Sequence, residues 1–496
     1  MNLAAIFDRH DPDNVALISR GRPTTYGELD SLVAGVRGGL AAQGLVPGDR
    51  VAIICGNNIY FVASYLAAVG AGMIAVPLNP LSPPVELVAQ LSTVSARAAV
   101  VGPTARSVFE QAEDNPLTSV DVVIGCGFLP DGGLTFDDLA ESDPAPIVER
   151  DDDDVALMVF TSGTAGAPKA AMLTHGNLRS NIAQALSIRE NAYTADDVFF
   201  GILPMFHIFG LNVVLGLAFA IGARVLLIER FDPVSAIEAI EKHAVTVVTG
   251  PPTMWSAFAN MRGVSPDSFN SIRVAVSGAA RLPEETGRAF EARFGVRIQE
   301  GYGLTEASPI VTASMGTDAP YGSVGVPVPG LEVRLIDESG DDVLIGDPGE
   351  LLVRGPNVFK GYWNDDAATA SVIDADGWLH TGDVATVDDD GFIYLVDRVK
   401  DLIIVSGFNV YPAEVEEVLI THPSIDACAV VGVPHPYSGE AVKAYVVGVK
   451  GSSIEEDEVV AYCADHLARY KCPDKVWFVD EVPVGLGGKV LRRALR

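Results

Sequence analysis

The chain has 496 residues, 48% of them hydrophobic, with 49 glycines and 31 prolines. That length and composition exclude a disordered or collagen-like polymer and point to more than one folded unit. The 65 acidic residues outnumber 34 basic ones and leave a net charge of −31, which excludes a nucleic-acid or anionic-lipid binder at the level of the whole chain but allows a local basic patch around a phosphate. The acid runs Asp151–Asp154, Asp388–Asp390 and Glu455–Glu458 read as solvated faces or linkers rather than metal sites. Cys55, Cys126, Cys428, Cys463 and Cys472 form no CxxC pair, which argues against a disulfide framework or zinc site and fits a reducing cytosol. Charge at Asp8 and Arg9 comes too early for a signal peptide, so a cytoplasmic protein is expected.

In chain order, Val51–Ile54, Ala98–Val101, Val225–Ile228, Val245–Val248 and Val274–Val276 read as buried strands. Ser235–His243 and Pro283–Phe294 read as helices between them, and strand–helix alternation implies parallel sheets with helical crossovers. Gly56–Val85 and Phe199–Ala223 carry no charged residue. Pro77, Pro80, Pro83 and Pro84 in the first, and His207 and Asn212 in the second, make them buried helix-plus-strand segments rather than membrane spans. From about Tyr321 the texture turns to short strands and glycine-rich turns, a small β-rich unit. Beyond 397–401 the segments Ala413–Ile420, Ala427–Val433, Ala441–Val449 and Glu455–Arg469 suffice for a small separate domain. No fixed-period repeat runs through the chain.

The strongest local signal is Thr161-Ser162-Gly163-Thr164-Ala165-Gly166-Ala167-Pro168-Lys169, after the apolar run Val155–Phe160. Glycines let backbone N–H groups approach oxygen, hydroxyls donate and the lysine adds charge: an anion cradle. It is not a Walker A loop, because Lys169 follows proline. The alternative is a flexible surface loop with an incidental lysine. In Gln299-Glu300-Gly301-Tyr302-Gly303-Leu304-Thr305-Glu306, an aromatic between glycines can lay its face on a base. Thr305 can donate to phosphate, and Glu306 is the hard oxygen ligand that Mg²⁺ takes beside substrate phosphates. The alternative is a turn at a strand end. Thr381-Gly382-Asp383, with Asp397-Arg398 beyond, reads either as a carboxylate placed for ribose hydroxyls or as a hairpin with a surface ion pair. Gly487-Gly488-Lys489 sets a lysine on a glycine turn that can be delivered to a distant site, or else a basic tail with Arg492, Arg493 and Arg496.

These motifs, in this order, closely resemble the adenylate-forming superfamily of acyl-CoA synthetases, adenylation domains and luciferases. Within it the chain looks most like bacterial fatty-acid–CoA ligases. The likeness extends through Leu203-Pro-Met-Phe-His207, Val396-Asp-Arg-Val-Lys-Asp401, Ser406-Gly-Phe-Asn-Val-Tyr-Pro412 and Gly439-Glu-Ala-Val-Lys443, and covers the chain from Thr25 to Lys489. It implies a large α/β N-terminal domain (two parallel-rich sheets with helices plus a small β-barrel-like unit) over 1–396. A hinge at 397–401 would join it to a small, mobile α+β C-terminal domain over 402–496.

The implied reaction has two steps. ATP-Mg²⁺ and a carboxylate give an acyl-adenylate and pyrophosphate; the thiol of CoA then takes the acyl group and AMP leaves. By resemblance Thr161, Ser162, Gly163, Thr164 and Lys169 hold the β- and γ-phosphates. Tyr302 stacks on adenine opposite Gly278-Ala279-Ala280, and Glu300, Gly301 and Gly303 complete that wall. Thr305 contacts the α-phosphate, Glu306 and Thr164 the metal, and Asp383 and Arg398 the ribose. Lys489 bridges the carboxylate and α-phosphate, so that two anions can meet. The small domain pivots at Lys400 between half-reactions, one orientation presenting Lys489 and the other Ser406-Gly407-Phe408. Lys443 is a candidate for CoA phosphate. Ala165, Ala170 and Val484–Gly487 depart from the family pattern without removing a charge the chemistry needs.

The acyl pocket is expected from Met205–Leu217, Pro252–Trp255, Val276–Ala280 and Ala307–Val311, with Phe206, Gly210, Leu211, Val214, Thr253 and Ser277 on its walls. These segments hold no arginine, which disfavours a dicarboxylic acid. His207 is a gate or a carboxylate neighbour, or else a satisfied core histidine. Gly210, Gly216 and Ala218 leave a groove for an alkyl chain, or else allow close helix packing. Medium-to-long-chain fatty acids are the first reading and aryl acids of hydroxycinnamate type the alternative. An acyl-AMP ligase loading a carrier protein and a non-catalytic nucleotide-binding protein are the other classes. A homodimer and a peripheral membrane position are compatible with the chain, which encodes no anchor.

Overall fold

The computed structural model describes the chain except residues 111–119, 162–168, 189–191, 399–400, 406–407, 436–438, 468, 485–489 and 496, and the side chains at 107–110, 398, 409, 439 and 493. Two large sheets carry its body. One runs Gly361–Tyr362, Lys169–Thr174, Val155–Thr161, Ile74–Pro77, Arg50–Ile54, Ala98–Val101, Val122–Gly125, Leu134–Thr135. The other runs Val326–Pro327, Ile310–Ala313, Ile298–Gly303, Val274–Ser277, Val247–Gly250, Val198–Gly201, Arg224–Leu227, Val15–Ser19, Arg22–Thr25. Their central pairs are parallel, as the strand–helix alternation predicts. Arg50–Ile54, Ala98–Val101 and Val247–Gly250 are buried almost throughout, which is why each reads as an unbroken apolar run.

The crossover helices carry their own start and stop signals. Pro233–His243 opens with Asp232 accepting from the Ser235 amide at 2.9 Å and with proline in its first turn. It closes on Lys242 and His243, favourable at a helix C-terminus, and on left-handed Ala244. The charge-free segments resolve into the helix Ile59–Gly70 with the strand Ile74–Pro77, and into the strand Val198–Gly201 followed by helical turns from Phe209 to Ile221. Among the described residues no helix is long and apolar enough to cross a membrane.

The expected β-rich unit is an antiparallel sheet of Glu332–Ile336, Gly349–Arg354, Leu379–Val387 and Ile393–Arg398, in that linear order. Sheet membership then changes between Arg398 and Ile403. Ile403–Val405, Phe408–Val410, Ile425–His435, Gly439–Gly448 and Lys475–Phe478 form a separate sheet. With the helices Pro412–Ile420 and Glu456–His466 it encloses its own core of Ile403, Val415, Leu419, Val430, Val446, Val459 and Cys463. The second helix ends where Leu467 turns extended. The small unit meets the body where the Ala413 amide donates to Asp397 Oδ2 at 2.9 Å and where Arg281 pairs with Glu417. All five cysteines are free.

Candidate active site

The candidate site residues lie where strands of the two large sheets end. Val155–Thr161 and Lys169–Thr174 form an antiparallel hairpin with Thr161 opposite Lys169. The hairpin register thus presents Lys169 at the end of the cradle loop. Ser162, Gly163 and Thr164 lie outside the described residues, as do Lys400, Ser406, Gly407 and Lys489; Arg398 is described by its backbone alone. Lys169 Nζ stands 5.2 Å from the centre of the Tyr362 ring and 3.8 Å from Asp365 Oδ2.

On the other sheet Ser277 pairs with Glu300, so Gly278–Ala280 and Gly301–Gly303 leave neighbouring parallel strands together. Ligands of open α/β sheets bind at such carboxyl-terminal ends. Two glycines here sit against close neighbours, backbone at Gly303 and the tip of a side chain at Gly278. A Cβ at Gly303 would collide with the Pro309 carbonyl, and one at Gly278 would lie 2.8 Å from Phe209 Cζ. Ala279 holds φ +70°, a left-handed conformation that costs a non-glycine residue energy and clusters at functional sites. Tyr302 donates its hydroxyl to Asp383 Oδ2 at 2.6 Å, both residues being buried. Asp383 is set by an irregularity within the strand Leu379–Val387: Gly382 takes φ +69°, and Thr381 Oγ1 accepts from the Asp383 amide while donating to the Leu351 carbonyl. The candidate base platform and the candidate ribose carboxylate are therefore joined directly, with Arg398 opposite Asp383 in the sheet register.

Glu300 has a different job from the one its motif suggests. Its buried carboxylate accepts from the Gly322 amide at 2.9 Å, and burial raises its pKa. Its side chain thus anchors the loop behind the strand.

Thr305–Ala307 forms a short 3₁₀ turn. Glu306 is fixed twice: its carbonyl accepts from the Phe359 amide, and its Oε1 accepts from Tyr362 Oη, both at 2.8 Å. Burial, with Glu306 beside it, pushes the Tyr362 phenol well above its ordinary range, so the hydroxyl stays a donor. Among the described residues no cluster of metal-ligating side chains exists that could cage an ion alone. The fixed Glu306 carboxylate fits Mg²⁺, which takes one or two carboxylates and keeps the rest of its shell for water and substrate phosphates.

Around the expected acyl pocket, Leu211, Val214 and Ser277 are buried, Phe206 is half-buried and Thr253 is exposed. His207 is exposed at the turn before the helical segment, and the protein around it lowers its imidazole pKa. Its Nδ1 accepts from the Phe209 amide at 3.2 Å. Phe209–Gly216 is a π-helix, a form concentrated at functional sites. The groove expected at its glycines is filled. A Cβ at Gly210 would collide with the Pro204 carbonyl, and one at Gly216 would lie 2.9 Å from Asn212 Oδ1 and 3.0 Å from Ile182 Cδ1. Both glycines serve close packing, the other of the two readings.

In the small unit Phe408 is exposed and stacks on Tyr470 at 4.8 Å. Lys443 Nζ lies 3.4 Å over the centre of the exposed Trp477 ring and 4.6 Å from that of Tyr445. Sequence reasoning missed Tyr362, Asp365 and Trp477. The pattern Gly361-Tyr362-Trp363-Asn364-Asp365 offers a turn and an aromatic but no sign of what they touch.

A family model described as "AMP-binding enzyme" matches residues 5–363, and one described as "AMP-binding enzyme C-terminal domain" matches 414–489. The chain is 39% identical over 490 residues to a feruloyl-CoA synthase of Amycolatopsis sp., covering 98% of this chain and 96% of the relative. It is 37% identical to a long-chain-fatty-acid–CoA ligase of Yersinia pestis, covering 98% and 91%. The solved structure of ATP-bound MatB from Rhodopseudomonas palustris superposes with a TM-score of 0.92 at 34% identity, over 100% of this chain and 98% of that one. The chain belongs to the adenylate-forming family of AMP-binding enzymes, with both the large domain and the C-terminal domain of that family.

Proposed function

We propose that this protein is an AMP-forming acid–CoA ligase for an apolar monocarboxylic acid. Two observations support the reading together: the buried Tyr302–Asp383 hydrogen bond, and the Lys169–Tyr362–Glu306 cluster, whose Glu306 lies four residues further along the same motif. The first suits a nucleoside and the second its polyphosphate. In the first half-reaction the substrate carboxylate attacks the α-phosphorus of ATP and pyrophosphate leaves. In the second, the CoA thiol attacks the acyl carbon and AMP leaves. Lys169 offsets phosphate charge, Thr305 donates to the α-phosphate, Tyr302 and Asp383 hold the nucleoside, and Glu306 holds Mg²⁺. The ion, when bound, neutralises phosphate charge during the attack. Lys489 meets the carboxylate and α-phosphate. No side-chain nucleophile is needed, since the rate comes from positioning and electrostatics. The boundary at 397–401 serves as the hinge that lets residues 402–496 present Lys489 and then Ser406–Phe408, with Lys443 on the CoA side.

For the acid, medium-to-long-chain fatty acids are the reading from sequence. Two observations favour a compact aryl acid of hydroxycinnamate type instead. Gly210 and Gly216 are packed against backbone and side chains and open no alkyl groove. The relatives matching over nearly the whole chain include a feruloyl-CoA synthase and 4-coumarate–CoA ligases. Mass spectrometry of one incubation with ATP, Mg²⁺, CoA and a mixed pool of aliphatic, aryl and dicarboxylic acids tests both levels. AMP with an aryl-CoA product supports the proposal, and a long-chain acyl-CoA restores the fatty-acid reading. Acyl-adenylate without thioester would make a carrier protein the acceptor, and no AMP with any acid would overturn the ligase reading.

A further inference from the structure

Tyr362 stands between two sheets and touches a candidate phosphate residue on each side. Lys169 belongs to the eight-stranded sheet, and Glu306 to the turn that leaves the nine-stranded one. Tyr362 sits on the edge strand Gly361–Tyr362, in register with Ala171 beside Lys169. Its amide donates to Thr369 Oγ1 at 2.9 Å and its ring packs edge-on against Phe359 at 4.9 Å, so the side chain has one orientation. Its hydroxyl takes Glu306 Oε1. One carboxylate oxygen is thus held by the protein, and the other, Oε2, has no hydrogen-bond donor among the described residues. The opposite face of the arrangement meets Lys169, whose ammonium lies 5.2 Å from the ring centre and 3.8 Å from Asp365 Oδ2. That ion pair is partly exposed and easily surrendered. Asp365 divides its oxygens: Oδ1 accepts from the Ala368 amide at 2.9 Å as a helix cap, and Oδ2 faces the lysine.

We propose that Tyr362 is a positioning residue of the phosphate site, aiming the Glu306 carboxylate through its hydroxyl and seating Lys169 through its ring, with Asp365 as the counter-ion that ATP must displace. The inference rests on the assignment of Lys169 and Glu306 to phosphate and metal. It makes predictions of opposite sign at neighbouring residues. Tyr362→Phe keeps the ring and removes the hydroxyl that holds Glu306. Hydrogen bonds to charged groups are the stronger class, so Mn²⁺ affinity of the enzyme–ATP complex should fall about tenfold. Asp365→Asn keeps the cap, since Asn caps as well as Asp, and removes the charge competing with phosphate. ATP should then bind about two- to threefold more tightly.

The experiment is Mn²⁺ binding by electron paramagnetic resonance and ATP binding by calorimetry on the full chain, for wild type and both variants, with a melting temperature for each. Weaker Mn²⁺ binding in Tyr362→Phe and tighter ATP binding in Asp365→Asn, at unchanged melting temperatures, is the expected result. Unaltered Mn²⁺ binding in the first, or weaker ATP binding in a normally melting second, would overturn the proposal. Both readouts are binding equilibria, so failure to form a thioester would count against the ligase reading alone.

Discussion

Glu416 lies where the small unit meets the body, and its environment fixes a pH dependence. Arg492 Nη2 donates to Glu416 Oε2 at 2.6 Å, while Arg492 Nη1 lies 3.6 Å from Asp401 and 4.0 Å from Asp397. One guanidinium faces several carboxylates in a buried place. Burial outweighs the attraction of Arg492 and the Val430 amide, Asp397 adds repulsion, and the Glu416 carboxyl is pushed up to about 7. From its ordinary value of 4.5, that rise corresponds to about 3 kcal/mol. An acid whose pKa rises on folding binds its proton more tightly in the native state. Its contribution is therefore fully present below pH 4.5 and is lost as pH rises through about 7. Glu416→Gln keeps an acceptor for the Val430 amide at Oε1 and removes the charge. The assay is urea unfolding of both proteins at about pH 5 and pH 8.5, with the small unit followed by hydrogen–deuterium exchange. The stability of the variant relative to wild type should grow by about 3 kcal/mol between the two pH values. Parallel pH dependences in the two proteins would refute the reasoning, because they would mean that Glu416 is ionised throughout.

Three other perturbations follow from the same geometry. Tyr302→Phe removes the 2.6 Å bond to buried Asp383 and should weaken ATP binding about tenfold by calorimetry; unchanged affinity would separate the two residues functionally. Gly210→Ala forces a methyl group into the Pro204 carbonyl and should destabilise the fold by about 1–3 kcal/mol in chemical denaturation. A variant as stable as its parent would reopen the alkyl groove there. Lys489→Ala should nearly abolish acid-dependent adenylation yet spare thioester formation from supplied acyl-adenylate. Equal loss of both half-reactions would sink the two-orientation account.

What the sequence discloses and what it hides divide along a physical line. Arg50–Ile54 and Val247–Gly250 are legible because strands buried on both faces must be apolar at every position. Tyr302 and Asp383 are legible because glycines flank or precede each of them, although both lie within strands, Ile298–Gly303 and Leu379–Val387. Tyr362 is hidden: its hydrogen-bond partner is 56 residues away, and the pairing depends on two sheets meeting. Arg492 is hidden in the same way, 76 residues from Glu416. Gly210 shows a third limit, since a missing side chain is visible in sequence but the carbonyl that fills its place is not. Glu300 shows a fourth: membership of a binding motif does not say which way a carboxylate points, and here it points to Gly322.

The charge balance makes the local arrangement necessary. A chain of net charge −31 has to admit a polyphosphate and a carboxylate together. At physiological salt the surplus is screened beyond about 8 Å, so it acts on approach rather than at contact. Within that distance what matters is which charges the crevice presents and how firmly. Lys169 is held by a π-face and a half-exposed carboxylate, partners that phosphate can replace. Glu306 is held through Oε1 by a phenol that burial keeps protonated, and its Oε2 accepts no hydrogen bond among the described residues, so on the proposed reading a cation need not displace that partner. The cation of the site is therefore loosely kept and its anion firmly kept, the order required if an incoming metal–nucleotide complex is to take the lysine while leaving the carboxylate aimed.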